Sequence, residues 1–509
     1  MTDKRLQIGF NTFDTDILEH RPDFEKLLLY GADYVFCHTS PDPCGFADDC
    51  EKAAALAAAL KEKGLPFIAN FEFQNFAKQT VSPDGFDWSN RENGTHLLNL
   101  RPAFVQALAA EGNLIGITYD EFEHVIINRN ISLWLDSKGR IDKAAFPQLA
   151  TRDAFRQGEA LAGQLGAYAE SVRALGAPVF SGEHVFPVLY HIFARSGVIP
   201  NFKSQKECYS NLQFAVAAGA ALEYGTPLWN CVDMWHKLTN PGHSATEMYH
   251  NLLFAYLAGV NRVYVESAHA LVADGAPNEN GREYLRFVKE YRGRQRDYDI
   301  CDYRPEIGII RYDDAYWGQN LVWARGLFGN KMIKPDRRNR EWIGIIRTLT
   351  FGETGEETFT WNRIAPSSLK KHRSFCSMNA LAVFDDRVGK QTLSTLKLAF
   401  LCGVRISPET LADVQTLVAE NGLTAVCPAR FLPGRLRTAV KGSYTEIPDG
   451  SGLWIVTDDF GSARLKKRIA PFLGCKGEIR LPFADREIRL QLGADGETFT
   501  VNGSRPTDN

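Results

Sequence analysis

Five short apolar runs between residues 66 and 266 each end in a carboxylate. They are Pro66–Glu72, Leu114–Glu121, Pro178–Glu183, Pro227–Asp233 and Arg262–Glu266. Each reads as a buried strand that delivers an acid at its C-terminal end. In a parallel barrel those ends share one face, where barrel enzymes do their chemistry. A ring of carboxylates without a basic cluster points to hydrolysis of a neutral polymer or oligomer, a glycan.

The surroundings of each acid sharpen this. Asp120 and Glu121 are adjacent at the end of one run. Successive side chains of a strand point to opposite faces, so one of the two faces the barrel mouth and the other belongs to the loop. An acid here also suits the first turn of a helix, but the pair at the end of an apolar strand favours a functional role. Glu183 follows Gly182 and precedes His184. The glycine allows close backbone approach, and an apolar wall would raise the acid's pKa into the range of a general acid. A loop acid paired with a nearby arginine is the plain alternative. The segment Trp229-Asn230-Cys231-Val232-Asp233-Met234-Trp235-His236 mixes aromatics with amide, acid and imidazole groups. That mixture suits a pyranose, whose C–H faces stack on rings and whose hydroxyls need polar partners. One of the two tryptophans reads as ordinary core. Glu266 follows Val263-Tyr264-Val265, where a charge needs a partner or a function. Glu72 and either Asp14 or Asp16 complete the rim as binding groups.

Histidines 184, 236, 243, 250 and 269 are dispersed. None shows H-E-x-x-H spacing, and neither a nucleophile elbow nor a phosphate loop occurs. The expectation is therefore no metal and no cofactor, with a loop-assembled zinc or iron site as the rival.

To position these acids the chain must supply a barrel. Strand candidates are Ile8–Phe13, Tyr34–Thr39, Pro66–Glu72, Leu114–Tyr119, Pro178–Ser181, Val198–Phe202, Pro227–Asp233 and Arg262–Glu266. Helical patterns lie between them. Cys50–Lys63 ends at Gly64, Ala154–Leu175 ends at Gly176, and Ser244-Ala-Thr-Glu247 is a capping box. Eight such units over ~290 residues match a (β/α)8 barrel. A doubly wound open sheet would show a glycine-rich phosphate loop after an early strand, and none is present. The barrel is expected over residues 1–300. A second α/β region, 301–440, opens with Glu306–Tyr312 and contains a helix capped by Ser407 and Pro408 and closed by Gly422. A small β-rich domain is expected over 441–509.

The 509 residues carry 58 Lys and Arg against 61 Asp and Glu, a formal charge of −3, with 44% hydrophobic and 23% charged residues. Nucleic-acid and membrane-surface binding thus have no electrostatic support. No apolar run reaches the ~18 residues of a membrane helix. The N-terminus lacks the apolar region of a signal peptide. The ten cysteines lack metal-type spacing and read as free thiols of a reducing compartment. A cytoplasmic location is the expectation.

In order, these parts resemble glycoside hydrolases of family 42 architecture, which have a (β/α)8 barrel, a flavodoxin-like trimerisation domain and a C-terminal β domain. The residues carrying the likeness are Ile307–Trp317, Leu411–Gly422, Trp454–Phe460 and Ile469–Gly474. That family places an Asn-Glu pair on strand four and a Glu on strand seven, whereas this chain has Asp120-Glu121 and Asp233. The acid layout is similar to that of α-amylase-like retaining enzymes, with Asp120, Glu183 and Asp233 on strands four, five and seven, though the other signature residues of that group are missing.

The reading is a glycosidase acting by the two-carboxylate mechanism. Asp120 is the expected nucleophile and Glu183 the acid/base; the alternative pairs Glu121 as acid/base with Asp233 or Glu266 as nucleophile. Asp233, Glu266, Glu72, Trp229, Asn230, His236 and His184 are expected to bind substrate. The rivals are a metal-dependent barrel hydrolase or isomerase and a non-catalytic carbohydrate-binding protein. The resemblance implies a homo-oligomer, trimer or dimer.

Overall fold

The computed structural model describes residues 4–19, 22–39, 50–71, 102–121, 123, 126–127, 149–205, 208–234, 242–317, 326–354 and 373–501. Eight parallel strands close into a barrel in sequence order. They are β1 (Gln7–Phe13), β2 (Tyr34–His38), β3 (Phe67–Asn70), β4 (Leu114–Tyr119), β5 (Phe180–His184), β6 (Ile199–Ser204), β7 (Trp229–Asp233) and β8 (Arg262–Glu266). β1 pairs with both β2 and β8, so no open edge remains. The expected barrel stands, and the open-sheet alternative does not.

Helices α1 (Cys50–Glu62), α2 (Pro102–Ala109), α3 (Ala154–Ala174), α4 (Tyr190–Arg195), α5 (Ser210–Tyr224), α6 (Ala245–Leu257) and α7 (Glu279–Tyr291) cover the outside. Of the two caps at the starts of α3 and α6, the sequence pattern gives only the second. Asp153 accepts from the Phe155 N–H before α3, and Ser244 and Glu247 cap each other's backbone at the start of α6.

The barrel interior is packed in layers. At its base Tyr34, Ile68, Trp229 and Cys231 join Phe36 and Tyr264 in one buried cluster. The Tyr34 ring crosses Gly9 so closely that an added Cβ would lie 2.7 Å from it, so a side chain on β1 at this level would break the floor.

A six-stranded sheet follows, in the order β11-β9-β12-β13-β15-β14. Its strands are β9 (Ile307–Ile310), β11 (Leu381–Phe384), β12 (Leu398–Leu401), β13 (Thr424–Cys427), β14 (Tyr444–Asp449) and β15 (Gly452–Thr457). Only β14 runs antiparallel to its neighbour. A four-stranded sheet joins β10 (Met378–Asn379) to β16 (Glu478–Pro482), β17 (Glu487–Leu492) and β18 (Phe499–Val501). The second sheet thus runs to Thr457, past the boundary expected at residue 441. The reason is that Leu453–Val456 pairs in parallel with Thr424–Cys427 and satisfies that strand's second edge.

The alanine-rich α5 is buried over Ser210–Ala221. It is pressed between the barrel and β11, where Gly219 lies against the Val383 carbonyl, with room for no side chain. His191 of α4 crosses the same seam, bonding Nε2 to the Val383 oxygen at 2.8 Å. This alanine-rich helix is therefore a contact between sheet and barrel. No described helix is long and apolar enough to cross a membrane.

Candidate active site

Parallel register stacks inward-facing side chains in layers drawn from alternate strands. Following the pairing around this barrel, Phe36, Thr118, Asn201 and Tyr264 form one layer, from even strands. Asn11, Asn70, Glu183 and Cys231 form the next, from odd strands. His38, Asp120, Lys203 and Glu266 lie above them at the C-terminal face, with Asp233 one step higher on β7.

Lys203, at the end of β6, is the centre of this arrangement and was not among the residues expected to act. Its Nζ lies 2.9 Å from Glu183 Oε1, 3.1 Å from Glu266 Oε2, 3.2 Å from Asp120 Oδ1, 3.7 Å from Asp233 Oδ2 and 3.9 Å from Glu121 Oε1. The lysine is 2% exposed. An ammonium buried alone would lose its proton. Desolvation does push Lys203 down, but Asp120, Glu183, Glu266 and Asp233 together more than reverse it, and it is held well above its ordinary value. A fixed positive charge therefore sits buried at the C-terminal face of the barrel.

That charge splits the acids into two kinds. Burial pushes Asp120 up, but Lys203, a hydrogen bond with Glu183 and His38 bring it below the usual carboxylate value. Asn70 Nδ2 also donates to Asp120 Oδ2, at 3.3 Å. Glu183 goes the other way: burial, then the negative charge of Asp120, raise it well above the ordinary value against the opposing pull of Lys203. Glu266 is likewise raised, by burial and then by Asp233, and Cys231 Sγ donates to its Oε2 at 3.1 Å. His38, drawn down to about 4 by burial, is neutral at pH 7. Asp120 therefore keeps its negative charge more readily than an ordinary carboxylate, and Glu183 keeps its proton more readily.

The structure brings together Asp120, Glu121, Glu183, Asp233 and Glu266 around one cation. Glu121 itself has φ +50°, and Ser267, just after Glu266, has φ +63°. Left-handed backbone at non-glycine residues stores strain of a kind that clusters at functional sites.

Three expected binding residues are elsewhere. Trp229 lies on the barrel floor, 2% exposed, with the Arg262 guanidinium 5.2 Å from its ring, because it begins β7 and Asp233 ends it. Asn230 alternates to the outer face of β7, where Nδ2 bonds the Phe202 carbonyl at 2.8 Å and Ser204 Oγ at 3.0 Å. His184 likewise turns outward from β5, bonds the Val188 carbonyl at 3.1 Å and packs on Tyr190 and Phe193. Burial lowers it to about 3 and keeps it neutral. Behind the same loop, Glu123 accepts the Val185 and Phe186 N–H groups, and burial raises it to about 8. Glu72, Trp235 and His236 lie outside the described residues. At the end of β1, Asp14 pairs with Lys52 at 2.9 Å and Asp16 with His269 at 2.9 Å.

The residues the sequence reading missed are Lys203, Asn70, His38, Asn201 and Tyr264. All sit at inward, period-two positions of their strands, which is the signal that would have found them. Ending the sixth strand at Phe202 hid Lys203.

His38, Asp120 and Glu266 offer ligand atoms within 4.8 Å of one another, and so do Glu183, Cys231 and Glu266. The ammonium of Lys203 already contacts Asp120, Glu183 and Glu266, so a divalent cation would have to displace it against repulsion. The donor set does not fit a resident metal.

No family model matches the chain, and no curated protein matches it. Among solved structures it is similar to the exo-β-1,4-mannosidase Op5Man5 from Opitutaceae bacterium strain TAV5, at 10% identity over 97% of this chain and 91% of that one, TM-score 0.49. It is similar to the catalytic module of a family 98 glycoside hydrolase from Streptococcus pneumoniae TIGR4, at 9% identity over 97% and 74%, TM-score 0.49. A third likeness is to the apo exo-carrageenase GH42 from Bacteroides ovatus, at 10% identity over 96% and 73%, TM-score 0.42. At such scores the functional reading rests on the site itself.

Proposed function

We propose that this protein is a glycoside hydrolase that cleaves an oligosaccharide or glycoside by a retaining, two-carboxylate mechanism. The observation that carries the reading is the pair Asp120 and Glu183, both within 3.2 Å of the buried Lys203 Nζ, with their proton affinities shifted in opposite directions. Paired titratable groups with separated pKa values mark acid and nucleophile roles. Asp120 attacks the anomeric carbon while Glu183 protonates the departing oxygen. Glu183 then takes a proton from the water that opens the glycosyl ester. Oxygens of both acids lie within 3.2 Å of the same nitrogen, closer together than the ~6.5 Å lower bound of an inverting pair. Glu121, Asp233 and Glu266 bind hydroxyls at the mouth.

A lysine at a barrel strand end also suggests imine chemistry. That requires a neutral amine, and the surrounding acids hold Lys203 protonated. The six-stranded sheet is assigned to homo-oligomer formation, trimer or dimer, and the protein to the cytoplasm.

The test is a screen of nitrophenyl glycosides of both anomers with wild type, Asp120→Asn, Glu183→Gln and Glu121→Gln. Loss of a general acid/base is worth ~10²–10⁴-fold in rate, and Asp120→Asn should cost at least as much. Full activity in all three variants would sink the assignment.

A further inference from the structure

Glu183 is held from below as well as from above. The Tyr264 phenol donates a hydrogen bond to Glu183 Oε2. Asn201 Nδ2 in turn donates to the phenol oxygen at 3.0 Å. Because the amide nitrogen can only donate, the phenol oxygen accepts there, and its single proton is directed to Glu183. Phe36 stacks on the Tyr264 ring at 3.9 Å and 12° and fixes its plane. All of these side chains are buried. The charged and titratable groups facing Glu183 are Asp120 from β4, Tyr190 from α4, Lys203 from β6, Cys231 from β7, and Tyr264 and Glu266 from β8.

We propose that Tyr264 is a positioning residue, oriented by Asn201, that holds Glu183 in the rotamer facing Asp120 and limits how firmly Glu183 keeps its proton. A donor on Oε2 stabilises the carboxylate that remains after the proton has gone to the leaving group. Without it, Glu183 gives up its proton less readily and its carboxyl is free to rotate. The inference rests on the reading of Glu183 as acid/base.

The experiment is the pH profile of kcat for wild type, Tyr264→Phe and Asn201→Ala, on the aryl glycoside that wild type cleaves best. Tyr264→Phe keeps the ring and its stack on Phe36. Its high-pH limb should move to higher pH by about one unit, and kcat should fall by roughly tenfold or more with KM little changed, the size expected for a lost hydrogen bond to a charged group. Asn201→Ala should move the limb the same way by less. A limb that stays in place in Tyr264→Phe, or moves to lower pH, overturns the proposal, as does an unmoved limb in a folded Asn201→Ala. Glu183→Gln separates the two levels. If it keeps full activity, the acid/base reading fails and takes this inference with it. If it is inactive while the Tyr264→Phe profile equals wild type, only the role of Tyr264 fails.

Discussion

Replacing Lys203 with Met removes the cation on which, among the described residues, four buried acids converge, and keeps most of the stem volume. In wild type Nζ reaches Glu183, Glu266, Asp120 and Asp233 within 3.7 Å. Removing one member of a buried ion pair costs about 3–5 kcal/mol, because the charge left behind is uncompensated. The chain contains several sheets, so the quantity to read is the midpoint of the barrel transition rather than a global free energy. At about 2–4 °C per kcal/mol, the midpoint should drop by on the order of 10 °C. The pH dependence is the sharper part. In wild type Asp120 titrates below its ordinary 3.8, so its stabilisation is present above that value and lost as pH falls through the folded value. Without the ammonium, burial dominates and Asp120 titrates above 3.8. The folded state is then penalised increasingly as pH rises. The deficit of Lys203→Met should accordingly be larger at pH 8 than at pH 5, measured by circular-dichroism melts of both proteins. Equal midpoints at pH 8, or a larger deficit at pH 5, would refute the charge balance described for the site.

The same pair of acids shapes the activity profile: activity should fall at low pH as Asp120 takes up a proton, below the ordinary carboxylate value, and at high pH as Glu183 loses its own, well above it. Trp229→Phe should lower the melting midpoint and leave KM for an aryl glycoside unchanged, since Trp229 packs on the barrel floor; a large rise in KM would return it to the substrate. At the seam with β11, Glu223 accepts the Asp385 N–H at 2.8 Å, and burial followed by the Asp385 charge raises it to about 8. Its folded value lies above the ordinary 4.5, so folding is penalised as pH rises from 4.5 toward 8. Glu223→Gln should therefore match wild type in melting midpoint at pH 4 and exceed it at pH 8; a variant less stable at pH 8 contradicts this.

The barrel was legible because its strands are buried on both faces and read as short apolar runs between capped helices. Ser244, Ser407 and Gly422 fixed helix ends locally, without help from tertiary structure. The acids at the mouth were legible for the same reason, since a carboxylate ending a buried run is costly unless something uses it. What failed was facing. Trp229, Asn230 and His184 were grouped with the mouth by nearness in sequence to Asp233 and Glu183, but a strand of five residues spans the barrel height and alternates its side chains. Lys203 was invisible to a search for acids, although a ring of acids without a counter-ion is electrostatically incomplete. The pairing across residue 441 was not legible because strand partnership in a parallel sheet is non-local: nothing in Leu453–Val456 says that its neighbour is Thr424–Cys427.

The position of Lys203 makes sense of a requirement that the acids alone do not meet. In the proposed first step a bond forms between Asp120 and the anomeric carbon, the glycosidic bond breaks, and the proton of Glu183 leaves with the aglycone. Negative charge disappears from Asp120 and appears on Glu183. Lys203 Nζ is 3.2 Å from an oxygen of the one and 2.9 Å from an oxygen of the other. The cation therefore compensates the cluster before and after the step, and the low dielectric of the buried site is never asked to hold an unpaired charge. Hydrolysis of the ester reverses the exchange around the same fixed centre. A cation placed nearer one acid would favour one step and make the other limiting. This equidistance predicts that Lys203→Met, assayed at pH 5 where its fold suffers least, slows glycosylation and deglycosylation together. Stopped-flow release of nitrophenol should then show no new burst relative to wild type. A burst in the variant that wild type lacks would mean that Lys203 serves deglycosylation alone, and that its equal reach to the two acids has no part in the chemistry.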